Sequence, residues 1–247
     1  MTPVRIAMWS GPRNISTAMM RAWENRGDTA VWDEPLYAYY LARTGLEHPG
    51  RDEVIRHGET DWRRVVARIT GDVPGGKPIF FQKHMTHHLL DEVDRGWLDE
   101  VQSCFLIRDP REVIASYVRT RGEATLADVG VERQADIFAD VSARHARTPP
   151  VLDARDVLEH PEASLRALCA ALGVEFTPRM LSWPAGPRES DGVWARHWYA
   201  AVEASTGFAP WVSKAATLAP AFEPLARECE PYYRELHSVR LRPSAGQ

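Results

Sequence analysis

VRIAMWSGPRNISTAMMRA, residues Val4 to Ala22, reads as a strand, a tight loop and a helix. The apolar run from Val4 to Trp9 breaks at Ser10-Gly11-Pro12, passes Arg13, and resumes through Ser16 and Thr17 with helical periodicity. In such a unit the first amides of the helix lack intrahelical acceptors and, with the positive end of the macrodipole, face the loop. The loop is therefore an anion site. Gly11 lets the backbone turn, Arg13 offers a fork for phosphate or sulfate oxygens, and Ser16 or Thr17 can cap the amides or donate a hydroxyl. The common nucleotide triphosphate loop ends Gly-Lys-Ser/Thr. Here Ile15-Ser16-Thr17 stands in that place without a lysine, which weighs against an ATPase or GTPase.

The chain of 247 residues is long enough for one large α/β domain, and its 44% hydrophobic and 26% charged residues are those of a soluble globule. A net charge of −4 argues against bulk nucleic-acid binding, which draws on a basic surface, but leaves room for a local basic pocket. Cys104, Cys169 and Cys229 are odd in number and widely spaced, as in reduced cytoplasmic thiols rather than a disulfide frame or a zinc site. No apolar run reaches the length of a membrane span, and the N-terminus lacks a signal-peptide layout, so the expectation is a cytoplasmic protein.

Outward from the opening unit, strands alternate with helices. Helix Ser16–Asn25 leads to a short strand Thr29–Trp32, then to Asp33-Glu34-Pro35, where Pro35 suits a helix's first position. Glu34 can equally be a helix-start carboxylate beside a favourable dipole. Thr44–Gly50 reads as loop, Thr60–Ile69 as helix, and Pro74–Pro78 as the loop entering strand Ile79–Gln82, which puts Lys83 and His84 at that strand's carboxyl end. Strand Val101–Ile107 runs into Arg108-Asp109-Pro110-Arg111-Glu112, a helix start of the capping-box type. Helix Val131–Arg147, strand Pro150–Leu152 and helix His160–Leu172 follow; Thr177–Trp198 reads as a long functional loop, and the last 40 residues as partly helical. The pattern predicts a single domain with a central, mainly parallel sheet flanked by helices, ligands lying at the strands' carboxyl ends. Gly11–Thr17, Glu34, Lys83-His84 and Arg108 all follow proposed strands and share that edge.

Two motifs carry a resemblance. Pro12-Arg13-Asn14-Ile15-Ser16-Thr17 is similar to the 5′-phosphosulfate loop, Pro-Lys/Arg-Ser-Gly-Thr-Thr, of sulfotransferases that use 3′-phosphoadenosine 5′-phosphosulfate (PAPS), with Asn14 for Ser and Ile15 for Gly. Phe105-Leu106-Ile107-Arg108 through Ser116-Tyr117 resembles the family's 3′-phosphate motif, an arginine ending a strand and a serine eight positions later. A softer echo of the late Arg-Lys-Gly loop lies in Gly186-Pro187-Arg188, without its Lys-Gly pair. The resemblance implies that residues Gly11 to Thr17 with Arg108, Ser116 and Arg188 bind PAPS as co-substrate, that Arg13 stands at the catalytic lysine or arginine position, and that no metal is required.

The acceptor, implied to be a small molecule with a hydroxyl or amine, must lose a proton to a base within reach. Carbohydrate-type and bacterial sulfotransferases resemble this chain in a Glu-Pro after the second strand with that Glu as base, which makes Glu34 the first candidate. His84 is the second: phenol and steroid sulfotransferases use Lys-x-His, and Lys83-His84 lacks the spacer. Lys83 is implied to contact the sulfuryl group, or is a surface lysine. His84, His87 and His88 invite a metal reading, but no zinc-hydrolase carboxylate motif accompanies them. Tyr37, Tyr40, Trp183, Trp194 and Trp198 are candidates for the acceptor pocket or for the core. Two other function classes use the same cradle: a P-loop kinase or phosphohydrolase, and a nucleotide-binding protein without catalysis.

Overall fold

The computed structural model describes residues 2–212 and 218–243. Among them, strands β1 (Val4–Ser10), β2 (Thr29–Asp33), β3 (Ile79–Met85), β4 (Gln102–Ile107) and β5 (Val151–Asp153) form one parallel sheet in the order β2-β3-β1-β4-β5. Helices α1 (Ser16–Glu24), α2 (Tyr37–Thr44), α3 (Arg51–His57) and α4 (Trp62–Thr70) precede β3. Helices α5 (Pro110–Arg121), α6 (Leu126–Val129) and α7 (Val131–His145) join β4 to β5. After β5 come α8 (Ala154–Glu159), α9 (Pro161–Ala171), α10 (Ala195–Trp198), α11 (Ala200–Glu203) and α12 (Glu223–Ser238).

β1 is apolar throughout its inner part because neighbours pair on both edges and helices cover both faces. Alternation then divides its side chains. Ala7 and Trp9 join the core built by Val65, Ile69, Trp97, Phe105 and Ile137, beneath α4 and α7. Ile6 and Met8 join Met19, Met20, Trp23, Leu165 and Leu168, beneath α1 and α9. The chain leaves β1 toward β2 and leaves β4 toward β5, so connections diverge between these adjacent strands and open a crevice at their carboxyl ends.

Several local expectations change. The helix after Glu34 begins at Tyr37, with Leu36 as its cap, so Pro35 lies in the preceding turn. Helix α3, entered through Gly50 at φ 76°, lay in a stretch too short and polar to show periodicity. β3 runs on to Met85, which places Lys83 and His84 inside the strand and therefore on opposite faces. At α5, Asp109 caps Arg111 N at 2.8 Å as expected, but Glu112 does not complete a capping box; its carboxylate takes Arg108 instead. Gly11 is needed for closeness, not for a turn: a Cβ there would sit 2.8 Å from the Val129 carbonyl oxygen. The left-handed residue of the loop is Arg13, at φ 55°.

Candidate active site

The β1–α1 loop and the β4–α5 junction meet across the crevice. Asn14 ties the two together, donating to Leu106 O at 3.0 Å while its Oδ1 takes the amide of Ile15 at 2.8 Å. Ile15, at φ −91°, needs no left-handed backbone; it packs partly against the core under α1 and also lines the cavity described below. Among the described residues no side chain caps α1, and neither Ser16 nor Thr17 does so. Arg13 Nε donates to Ser116 Oγ at 2.9 Å, and Arg108 Nη1 donates to Arg13 O at 2.7 Å. The Arg108 fork is completed by Glu112 Oε2 at 3.0 and 2.8 Å. Desolvation, then the like charges of Arg119 and Arg108, lowers the Arg13 pKa. Crowded cations facing uncapped amides attract a polyanion.

A second cluster sits at the ends of β2 and β3. Lys83, 1% exposed, donates to Asp33 Oδ1 at 2.7 Å, Glu34 Oε1 at 2.8 Å and Tyr199 OH at 2.5 Å. Tyr199 in turn donates to Asp33 Oδ2 at 2.6 Å and accepts from Trp194 Nε1 at 3.2 Å. Burial opposes the Lys83 charge, but Asp33, then Glu34 and Tyr199, outweigh it and hold its pKa well above the ordinary value. Burial raises the Glu34 carboxyl; Lys83 counters and Asp33 reinforces the shift. Glu34 sits at φ 43°, a left-handed turn that swings its side chain off the strand line.

Both clusters line one cavity of about 1070 Å³. Its walls include Tyr37, Tyr40, Trp194 and Trp198, four of the five aromatics singled out above; Trp183 lies in the core under α9, 3% exposed, against Phe208. His48, His87 and His88 also face it. All three are pushed toward the neutral form, His87 to about 4, by burial first and then by neighbouring positive groups.

Two expected residues are elsewhere. His84 stacks on Trp9 at 4.5 Å and binds Gln82 Oε1 at 3.3 Å on the opposite face of the sheet, where burial pushes its pKa down to about 3. Arg188 donates to Pro184 O at 3.0 Å, in a loop pinned to α1 by Arg21–Asp191 at 2.7 Å, and does not line the cavity. Among the described residues no group of three or more His, Cys, Asp or Glu side chains is arranged to hold a metal ion. Nor is any described helix long and apolar enough to cross a membrane. Asp33, Tyr199 and His48 are the site residues that sequence reasoning missed, and His88 was weighed there only as a metal ligand. Asp33 stood beside Glu34 in the strand pattern, while Tyr199 comes from a segment some 116 positions beyond Lys83 with no motif around it.

A family model described as a sulfotransferase domain matches residues 4–239. The chain belongs to this sulfotransferase family. Two Arabidopsis thaliana proteins named branched-chain-amino-acid aminotransferase-like protein 2 and protein 1 are 34% identical to it over 231 residues and 36% identical over 206. Those alignments take in 94% and 83% of this sulfotransferase-family chain, which spans only 41% and 37% of the relatives' own length. The sulfotransferase domain of the Synechococcus PCC 7002 olefin synthase shares the fold, with a TM-score of 0.54 at 18% identity over 92% of this chain and 94% of that one.

Proposed function

We propose that this member of the sulfotransferase family moves a sulfuryl group from PAPS to a hydroxyl or amine of a small-molecule acceptor. The observation that carries the reading is the convergence of Arg13, Ser116 and Arg108 in the same cavity as Glu34. The residues fit a donor with two anionic ends. Gly11 keeps the loop close to Val129, α1 has no side-chain cap, and two guanidiniums and a hydroxyl face the crevice. When bound, PAPS supplies the sulfuryl group and a 5′-phosphate as leaving group.

Arg13 and the first amides of α1 meet the charge released on the departing phosphate oxygen, where stabilisation lowers the barrier most. Arg108 and Ser116 hold the 3′-phosphate by charge-assisted and hydroxyl hydrogen bonds. Glu34 Oε2 receives the proton of the acceptor as its oxygen or nitrogen bonds to sulfur; Oε1 is fixed by Lys83. His84, across the sheet, takes no part. The aromatic walls favour an acceptor with a flat or apolar body.

Thermal shift and calorimetry with 3′,5′-phosphoadenosine against ATP with magnesium, followed by labelled PAPS with pooled hydroxylated and amine acceptors, test the reading. Binding of 3′,5′-phosphoadenosine in preference to ATP, with label transferred, is the expected result. Preference for ATP would refute it, and tight binding without turnover on any acceptor would leave only a binding function.

A further inference from the structure

We propose that Asp33 is a positioning residue for Glu34: by taking up the charge of Lys83 it leaves Glu34 as the surplus carboxylate of the cluster, and so keeps it basic enough to accept the acceptor's proton. This rests on the reading of Glu34 as the base.

The charges are unequal in number. One ammonium faces two carboxylates in a site where Lys83, Asp33 and Tyr199 are 1%, 3% and 5% exposed. All three ammonium hydrogens are used, on Asp33 Oδ1, Glu34 Oε1 and Tyr199 OH. The two carboxylates are treated differently. Asp33 accepts at both oxygens, from Lys83 at Oδ1 and at Oδ2 from Tyr199 at 2.6 Å and the Gly192 amide at 3.4 Å. Among the described residues Glu34, which lines the cavity, accepts a hydrogen bond only at Oε1; His88 Nδ1 lies 4.0 Å from its Oε2, and that nitrogen has no hydrogen-bond partner there either. An anion that accepts hydrogen bonds at both oxygens keeps its charge at less cost than one supplied at a single oxygen. Asp33 and Lys83 therefore form the neutral pair, and ionising Glu34 adds a net negative charge to a buried site.

The groups facing Glu34 from the other packed elements do not cancel this. Tyr37 at the start of α2 and Tyr199 after α10 are held protonated by burial first, with nearby carboxylates adding to it. His88, in the turn after β3, is neutral because burial and the surrounding histidines and Lys83 disfavour its charge. Among the described residues Lys83 is then the cation within reach, and Asp33 competes for it. Residues that leave a base short of a counter-charge tune it toward the operating pH.

The test is the titration of Glu34 followed by carbon-13 NMR of glutamate side-chain carboxyls, with Glu34→Gln assigning the resonance. In Asp33→Asn the neighbouring like charge is gone and Lys83, already on Glu34 Oε1, is no longer shared with a second carboxylate, so the Glu34 midpoint falls, by about 1–3 pH units for a cation left uncompensated beside a carboxylate. Asp33→Glu, which restores the charge, returns the midpoint toward the natural chain's. Should the amide variant not fold, Asp33→Ser, which keeps an oxygen for Lys83, takes its place with the same expectation. A midpoint unchanged or higher in a folded Asp33→Asn or Asp33→Ser protein overturns the inference. Where sulfotransfer is measurable, the acid limb of kcat/KM moves with the same sign. Absence of any transfer, with the midpoint shifted, would instead count against Glu34 as a sulfotransferase base and leave the coupling of Asp33 to Glu34 standing.

Discussion

Lys83→Met removes the cation shared by Asp33 and Glu34 while keeping most of the side chain's bulk. At pH 8 two carboxylates are then left facing each other in a site where Asp33 is 3% exposed and the Glu34 side chain 11%. Breaking a buried ion pair by deleting one partner costs about 3–5 kcal/mol. For a chain of this size each kcal/mol lowers Tm by about 2–4 °C, so the expected fall is roughly 6–20 °C. The cost depends on pH, and its sign follows from Glu34. Burial already raises the folded-state pKa of Glu34 with Lys83 opposing; without Lys83 it rises further. A carboxyl with a folded pKa above its unfolded one binds more protons when folded, so stability drops as pH climbs from the unfolded midpoint through the folded one. The variant should therefore lie closest to the natural chain near pH 5 and furthest at pH 8. Urea unfolding at both pH values measures this. A deficit under about 1 kcal/mol at pH 8, or one that does not change with pH, would refute the assignment of Lys83, Asp33 and Glu34 to one buried charge cluster.

Three further outcomes are expected. Glu34→Gln lowers kcat by about 10²–10⁴ while 3′,5′-phosphoadenosine binds as before, since only the proton acceptor is lost; turnover and calorimetry on the same preparation check both halves. Arg108→Ala weakens 3′,5′-phosphoadenosine binding about 10- to 150-fold, the equivalent of a charged hydrogen bond of about 1.5–3 kcal/mol, and binding within threefold of the natural chain would remove Arg108 from the grip. Gly11→Ala forces a Cβ to 2.8 Å from Val129 O, so scanning calorimetry should register a loss of about 1–3 kcal/mol; an unshifted Tm would mean the loop yields freely.

The sheet was legible because its strands are short apolar runs punctuated by Gly, Pro and Asp, and because burial on both faces makes them continuous rather than alternating. The paired loops at Arg13 and Arg108 were legible for a related reason: each is a local stretch in which strand, turn and helix start are consecutive in the chain. What the sequence hid was non-local. The pairing of Lys83 with Tyr199 depends on a late segment folding back over the ends of β2 and β3, and no periodicity marks it. His84 misled because β3 runs three residues beyond the expected Gln82, to Met85, so Lys83 and His84 lie within the strand, where side chains alternate with period two. Arg188 lies in a loop whose course is fixed by Arg21–Asp191 and by Ser190 on Glu24, contacts between residues some 170 positions apart.

Arg13 at φ 55° and Glu34 at φ 43° each follow the end of a strand, and both carry the proposed chemistry. For residues with a Cβ the left-handed conformation costs about 1–2 kcal/mol. A grafting exercise that moved only these two side chains onto another parallel-sheet scaffold would aim them wrongly, because the backbone twist beneath them sets their direction. The transferable unit is the bent strand end, with Asn14 bridging to Leu106 O and the Glu34 amide anchored on Lys83 O at 2.9 Å as its clamps.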